Sequence, residues 1–581
     1  MSAIERLRNR ITLTTIPFTD RGSRLLLFRR DDQMLVRLAE RWVKHEPEVG
    51  HYRKRPPFFD EFTILNADGG PQTLETETYP HAAHLHTGVG TFTWAFTDPE
   101  TLIVALPEGR YTLRFKLHAQ RAETDRRGGM THGRRNAAYT TNAKIVRQGM
   151  MALEGEQIQV ELALDAAAGT AFVLHLTPRL GFNRAVPNPA EAIESARQRW
   201  QAWFDAAPPV LPEYQSHYDY AWWVMRAALL NTHYHFTREA ATPSKIHYVG
   251  VWLWDQYFHA LAYRHVDAKL AQDQLRIFLD HQLPNGMLPD AIHDEGIISH
   301  LTAPVDADVT KPPFMAWAAL KIYEATGDLD FLNEIYEPIT RWQNYWLMHS
   351  RNANGLAEYQ HPFSSGLDDS PLFGEGMPVV SPDLNTYLVI QAETLAKIAA
   401  LIGLPVEAAA QNEIANVLTE RIKAELWDEQ RGYFNVLRPD GKPVDVFTPF
   451  HLMPLWTGRL TASQTERVIA HLTSPRLWPQ WPIPTVAIDD PKFDPMQMWR
   501  GPVWVNINLL FVEALERAAR RDLADELRRK SLALIMQHDD IFEYYNPLTA
   551  EHPPKAAPIF GWTSAAFIEL AIQETKRRGE G

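Results

Sequence analysis

The sequence predicts a mostly helical protein with a β domain in front of it. Residues 1–186 form an antiparallel β-sandwich, 187–210 a helical linker, and 211–581 an (α/α)6 barrel. Three observations lead there. Short apolar runs, most of them alternating and separated by turn signals, fill the first third of the chain. From residue 214 onward nearly every periodic stretch carries the helical repeat. The connectors between those helices alternate between very short and long, as a ring of helix hairpins produces. An open helical solenoid is the rival, but no internal repeat of solenoid length supports it.

In the β region, residues 11–16, 62–65, 110–117 and 172–176 read as strands, divided by turns such as Asp68-Gly69-Gly70 and Pro107-Glu108-Gly109. Residues 25–38 are mixed and predict a strand followed by a short helix. Between residues 121 and 135, Arg126, Arg127, Arg134 and Arg135 cluster with Gly128, Gly129 and Gly133. This reads as a mobile polar loop, with an anion site as the lesser alternative. Asn188 is a helix cap and Pro189 suits the first helical position, so 190–204 is helical and Pro208-Pro209 closes the linker. Further helices are expected over 214–235, 254–265, 268–281, 313–325, 329–350, 382–402, 405–427, 462–472, 503–520, 523–537 and 563–576. Gly327-Asp328 and Gly403-Leu404 are short connectors; the long ones are rich in aromatic, glycine and acidic residues.

Composition narrows the function classes. A chain of 581 residues exceeds one ordinary core. The absence of cysteine removes disulfides, thiol catalysis and Cys-ligated metals. A net charge of −13 argues against a nucleic-acid partner. No apolar run is long enough to span a bilayer and no signal sequence opens the chain, so no membrane partner and a cytoplasmic location are expected. The 23 histidines are scattered: His233, His235 and His281 find no partner at ligand spacing, so no metal or other cofactor is expected. Neither a Gly-x-Ser-x-Gly elbow nor a phosphate-binding glycine loop occurs. With 18 Trp, 19 Tyr and 26 Phe the chain is rich in aromatic faces, which match the apolar faces of sugar rings. A small carbohydrate is the expected partner; a homo-oligomer is left open.

Two acidic loops carry the chemistry. Ser364-Ser365-Gly366-Leu367-Asp368-Asp369-Ser370-Pro371 and Phe542-Glu543-Tyr544-Tyr545-Asn546-Pro547 surround their carboxylates with hydroxyl and aromatic groups and have no lysine or arginine nearby in sequence. If the fold joins them, they supply the acid and the base that glycoside hydrolysis needs. Other long connectors add polar groups. Asp255, after Trp252 and Trp254, either caps a helix or accepts from sugar hydroxyls. Leu283 to Asp290 is a turn with little catalytic content, and the loop after it, through His300 and Asp306 to Lys311-Pro312-Pro313, has the length of a functional lid. Arg500, between Trp499 and Trp504, either satisfies a carboxylate or holds substrate. Asn506 and Asn508 lie two apart, so one helix aims at most one of them at a ligand. Trp562 is core or sugar platform, and Thr563 or Ser564 caps the last helix.

These stretches resemble glycoside hydrolase family 63, which groups processing α-glucosidase-like enzymes, bacterial α-glucosidases and mannosyl- or glucosylglycerate hydrolases. The resemblance covers about residues 211–578. It rests on Trp254-Asp255 with Tyr257-Phe258-His259, Ser365-Gly366-Leu367-Asp368, Trp499-Arg500-Gly501-Pro502-Val503-Trp504, Glu543-Tyr544-Tyr545-Asn546-Pro547-Leu548-Thr549 and Phe560-Gly561-Trp562-Thr563, in the family's order. Trehalases share a weaker version; their basic residues ahead of the Trp-Asp element are matched loosely by Lys245. The resemblance implies an (α/α)6 barrel and hydrolysis with inversion, with Asp368 as general acid and Glu543 as general base. Ser364 stands where the family often has Glu, and Asp369 is a spare carboxylate with a structural or subsite role. Trp252, Trp254, Asp255, Tyr257, Gly366, Trp499, Arg500, Trp504 and Trp562 are the expected substrate contacts. The leading expectation is an exo-acting α-glucosidase. Its alternatives are a glucosylglycerate or mannosylglycerate hydrolase, in which Lys245 or Arg500 grips the carboxylate, and a non-catalytic carbohydrate-binding protein on the same barrel.

Overall fold

A computed structural model describes residues 1–40, 56–133, 135–179 and 181–579, so Arg134 lies outside the described residues. The chain divides into two compact units, one of Met1–Ala207 with Arg226–Asn231 and one of Pro208–Met225 with Thr232–Gly581.

The first unit is built on two antiparallel sheets. Across its width the six-stranded sheet runs Leu25–Arg30, Gln33–Leu38, Phe59–Leu65, Gly109–His118, Gln157–Ala166, Lys144–Leu153. The eight-stranded sheet runs Glu75–Thr78, Ala83–Thr87, Gly90–Asp98, Thr101–Ala105, Ala171–Thr177, Asn136–Thr141, Gly128–His132, Arg121–Asp125. Gly109–His118 and Gln157–Ala166 pair with Leu113 opposite Leu162 and Phe115 opposite Val160, and both alternate between buried and half-exposed positions. That is the period-two signature of a strand with one wet face. The buried faces of the two sheets meet through aromatic pairs: Phe62 with Trp94 at 5.1 Å, Phe115 with Tyr139 at 5.3 Å and Phe115 with Phe172 at 5.7 Å.

Asn136–Thr141 and Ala171–Thr177 are buried on both faces. The second cover is the helix Pro189–Asp205, whose Ala196 joins a core of Ala95, Ile103, Ala171 and Val173, flanked by Val186, Ala192 and Ile193. Asn188 caps this helix through Oδ1, accepting from the Ala190 N–H, with Pro189 in the first turn.

Three local expectations are corrected in this unit. Residues 11–16 form bends rather than a strand, with Ile11, Leu13 and Ile16 buried and Leu13 at φ 61°. Residues 25–38 make a hairpin with no helix. Residues 121–135 contain a paired hairpin at the sheet edge, not a loose loop. Gly128 and Gly129 make it fit, because a Cβ at either would collide with Tyr139, and Arg135 is tied to Glu40 at 2.6 Å.

The second unit is helical. Its helices are α1 (Gln215–Ala227), α2 (Leu253–Tyr263), α3 (Ala268–Leu279), α4 (Met315–Thr326), α5 (Leu329–His349), α6 (Pro382–Leu401), α7 (Pro405–Glu425), α8 (Ala462–Leu472), α9 (Val505–Arg517), α10 (Arg521–Ile535) and α11 (Gly561–Gly579). A further inner element, Pro449–Thr457, is a 3-10 helix. Pro454 inside it lacks an N–H donor, which disfavours an α-helix and hides the segment from a periodicity reading. The expected helix 214–235 ends at Ala227.

Six elements pack in succession: α2 on α4, α4 on α6, α6 on Pro449–Thr457, that segment on α9, α9 on α11, and α11 back on α2. Inner members are buried almost throughout, as in α2 from Leu253 to Tyr263. Outer ones bury a stripe; α7 hides Ala408, Gln411, Ala415, Leu418 and Ile422 at helical spacing. The first five inner elements each lead to an outer helix by a short connector, closed by Gly327 (φ 70°) after α4 and Gly403 (φ 79°) after α6. Each outer helix returns to the next inner element by a long one. The long connectors therefore all arrive at the N-terminal ends of the inner elements.

Candidate active site

Convergence of those connectors brings the two acidic loops together. Asp368 lies between the 3-10 turns Pro362–Ser365 and Pro371–Phe373, just ahead of α6. Ser365 stiffens the first turn, its Oγ donating to the Pro362 carbonyl and accepting from the Leu367 N–H. Gly366, at φ 73°, occupies the left-handed region, and a Cβ there would enter the ring of Trp254. Gly366→Ala is therefore expected to lower kcat by about 100-fold, since the ring and the acid loop must separate. Steady-state kinetics beside a thermal melt would separate that loss from unfolding.

Asp369 anchors the loop. Its carboxylate accepts from the Trp499 N–H at 2.9 Å and Gln497 Nε2 at 2.7 Å, and its carbonyl accepts from Arg500 Nη1 at 3.3 Å. Among the described residues the Arg500 side chain makes no other hydrogen bond, which leaves most of a half-buried guanidinium available. Glu543 sits on the connector before α11 and is 4 % exposed. Its Oε2 accepts from the Ala557 N–H at 3.1 Å and the Tyr248 hydroxyl at 3.3 Å. Thr563 and Ser564 lie inside the last helix rather than capping it: the Thr563 hydroxyl donates to the Glu543 carbonyl and the Ser564 hydroxyl to the Phe560 carbonyl.

A buried cation faces Asp368. Lys311, 3 % exposed, lies 2.8 Å from Asp290 and 3.9 Å from Asp368 Oδ1, and donates to the Phe363 carbonyl at 2.6 Å. Asp290 is thus part of the site's charge system rather than a plain turn residue. Tyr248, Asp290 and the role of Lys311 escape a motif reading because their partners lie far along the chain. The lidlike length of the 280–314 connector was the one signal pointing to Asp290 and Lys311.

Asp368 has two environments. Its Oδ1 is enclosed and accepts no hydrogen bond among the described residues, while the side chain as a whole keeps 38 % of its surface open. Burial lifts its pKa to about 7, with Lys311 pulling it down and Asp290 and Asp369 pushing it up. Burial likewise lifts Glu543 to about 8; the Ala557 and Tyr248 donors oppose this, while Asp255 and Asp368 add to it. Asp255 is raised as well, again by burial, and feels Lys311, Asp290 and Asp368. These carboxyls thus sense one another's charge, and one ammonium cannot neutralise them all. The site retains protons at neutral pH.

The tryptophans form a floor. Trp499 and Trp504 stack face to face at 3.9 Å, and Trp254 and Trp562 meet edge to face at 5.2 Å; all four are buried. With its face covered by Trp499 and its Nε1 bonded to the Met498 carbonyl, Trp504 is core rather than platform. Tyr257 is also core, fully buried and donating to the Pro312 carbonyl at 3.3 Å, which supports the Lys311 segment. Trp252 is half-exposed, edge-on to Tyr248 and His293. No side chain caps α2, so Asp255 is not a helix cap. Lys245 is enclosed. Asn508 bonds the Ile483 N–H, the Pro482 carbonyl and Ser531, a structural role, while Asn506 is buried.

Known proteins resemble this chain in sequence and fold. Residues 248–563, more than half the chain, match the family model described as the mannosylglycerate hydrolase MGH1-like glycoside hydrolase domain. The mannosylglycerate hydrolase of Thermus thermophilus is 26% identical over 399 residues, covering 55% of this chain and 93% of that protein. The glucosylglycerate hydrolase of Mycolicibacterium hassiacum is 23% identical over 422 residues, covering 56% and 93%. Among solved structures, a GH63 mannosylglycerate hydrolase from Thermus thermophilus in complex with glucose superposes with a TM-score of 0.53 at 24% identity, over 61% of this chain and 99% of that one. A bacterial glucoamylase complexed with acarbose gives a TM-score of 0.58 at 13% identity over 97% of this chain and 95% of that one, a likeness of fold alone. A β-sheet unit, a helical unit and an acidic site at the long connectors accord with that match, and the chain belongs to the MGH1-like, family 63 glycoside hydrolases.

Proposed function

We propose that the protein is an inverting exo-hydrolase of a small α-glycoside with an acidic aglycone, of the mannosylglycerate or glucosylglycerate type, acting from an (α/α)6 barrel. Support for the barrel comes from the closed succession of six packed inner elements. Support for the acidic aglycone comes from relatives named mannosylglycerate and glucosylglycerate hydrolases, each matched over 93% of its own length. These favour it over the plain α-glucosidase that led the sequence reading. The carrying observation is the contrast between the carboxyl-rich interior and Arg500. The interior already holds more carboxyl groups than its one ammonium can neutralise, which disfavours a further carboxylate there, whereas the Arg500 guanidinium, bonded to the Asp369 carbonyl of the acid loop, offers it a partner.

In this reading Asp368 protonates the glycosidic oxygen as the C1–O bond breaks, and Glu543 takes a proton from the water that attacks C1 from the opposite face. Room for that water requires the carboxyl groups to stand about 6.5–9.5 Å apart. In the free protein the proton rests more readily on Glu543, which is the more deeply buried and, unlike Asp368, has no lysine among the groups that act on it. A bound sugar covers the open side of Asp368 and withdraws water from it, which raises Asp368. The attacking water donates to Glu543 and favours its charged form. Substrate binding thus moves the proton to the acid, and the pair titrates as a unit.

The test is hydrolysis of α-mannosylglycerate and α-glucosylglycerate beside kojibiose, nigerose and maltose, with proton NMR of the first sugar released. The expected result is a preference for a glycerate substrate and initial release of the β-anomer. Preference for the neutral disaccharides would return the assignment to an α-glucosidase, and initial α-anomer would overturn inversion. Arg500→Met is expected to raise KM for the glycerate substrate by about 10- to 100-fold, the value of a charge-assisted bond of about 1.5–3 kcal/mol. Neutral glycosides should change far less.

A further inference from the structure

Three acidic side chains of the site, Asp255, Asp290 and Asp368, share one buried ammonium. Lys311 lies at the end of the connector between α3 and α4 and contacts Asp290, earlier on that same connector, and two groups of the next long connector, the Phe363 carbonyl beneath the acid loop and Asp368 itself. Asp255, at the start of α2, also acts on it. His361 senses both Lys311 and Asp290, Asp369 acts on Asp368, and Asp368 acts on Glu543. Lys311 therefore joins the acid loop mechanically, through Phe363, and electrically, through Asp368 Oδ1.

We infer that Lys311, held by Asp290, is the positioning residue that receives the negative charge Asp368 acquires when it gives up its proton. This inference rests on the reading of Asp368 as the proton donor. In the reacting complex Asp368 is neutral, and Lys311 has Asp290 as its close counter-ion. As the proton passes to the glycosidic oxygen, the C1–O bond pair leaves with the aglycone alcohol and Asp368 becomes a carboxylate. That charge develops 3.9 Å from the Lys311 ammonium, in a site where Oδ1 is enclosed and accepts no hydrogen bond among the described residues. Afterwards Glu543 loses the proton it took from water, Asp368 regains one from solvent, and Lys311 keeps its own throughout.

A leaving group that needs no protonation isolates this role, because fluoride departs as an anion. Lys311→Met is expected to lower kcat on the glycerate substrate by about 10- to 100-fold, a share of what general acid catalysis contributes. It should leave hydrolysis of the matching α-glycosyl fluoride within a few-fold of the parent. Loss of the cation also raises Asp368, so the alkaline limb of kcat/KM should move up by about one pH unit. Methionine at this position strands Asp290 in the interior. The double variant Lys311→Met with Asp290→Asn removes that burden, and should show the same selectivity with a smaller shift. Equal losses on glycoside and fluoride in both variants, or an unmoved alkaline limb, would overturn the role of Lys311. The reading beneath it fails separately, if Asp368→Asn retains glycoside turnover.

Discussion

Asp368→Asn is expected to reduce turnover of the glycoside by about 10³–10⁴-fold, the upper range for loss of a positioned general acid. Asparagine is nearly isosteric and cannot supply the proton. The loop should keep its shape, because its restraints do not pass through that carboxyl: Ser365 ties Pro362 to Leu367, and Asp369 ties the loop to Gln497 and Trp499. An α-glycosyl fluoride should recover most of the rate, since its leaving group departs without protonation. Steady-state kinetics on both substrates decides the matter. If glycoside and fluoride fall together, Asp368 acts in binding or folding and the acid lies elsewhere.

Glu543→Gln should be comparably damaging, by about 10³-fold or more, and for both substrates, because the attacking water needs a base whatever the leaving group. Added azide, a nucleophile that needs no deprotonation, should restore product formation as the inverted glycosyl azide, seen by mass spectrometry and NMR. The same variant carries a stability signature. Burial raises the Glu543 carboxyl from its ordinary value near 4.5 to about 8 in the folded state. The unfolded chain therefore releases this proton more easily than the folded one, and the wild-type protein loses stability as pH rises between those values. A glutamine in its place has nothing to ionise. The variant should melt at a higher temperature than wild type above pH 8, with the gap closing toward pH 4. Identical pH dependence of melting in the two proteins would mean that Glu543 is not held in a charge-averse setting.

Legibility differed by kind of feature. The two carboxylate loops stood out because a carboxylate among hydroxyls and aromatics, on a connector longer than its helices need, calls for another reason to exist. Their meeting followed from the alternation of short and long connectors, a topological fact written in spacing alone. The Lys311–Asp290 pair was illegible because its two side chains come from opposite ends of one connector, and its third partner from the next. Aromatic residues were over-read for a related reason. Sequence does not say whether an indole face meets solvent or another indole, and Trp499 and Trp504 cover each other. Pro449–Thr457 closes the inner succession without the hydrogen-bond pattern that periodicity detects. At the sheet edge, clustered arginines and glycines looked like a loose segment. Gly128 and Gly129 are there because Tyr139 leaves no space for a side chain.

The two-ended layout of the helical unit sets where the enzyme tolerates engineering. The tight turns around Gly327 and Gly403 join helix pairs far from the acidic cluster, and Gly403 has open space where a Cβ would stand. A surface linker, a fluorescent tag or a fusion partner grafted at Gly403 would hang from the end of the helical unit opposite its long connectors. A graft of equal length between Ser370 and Ser381 would instead intrude on the proton donor's own segment.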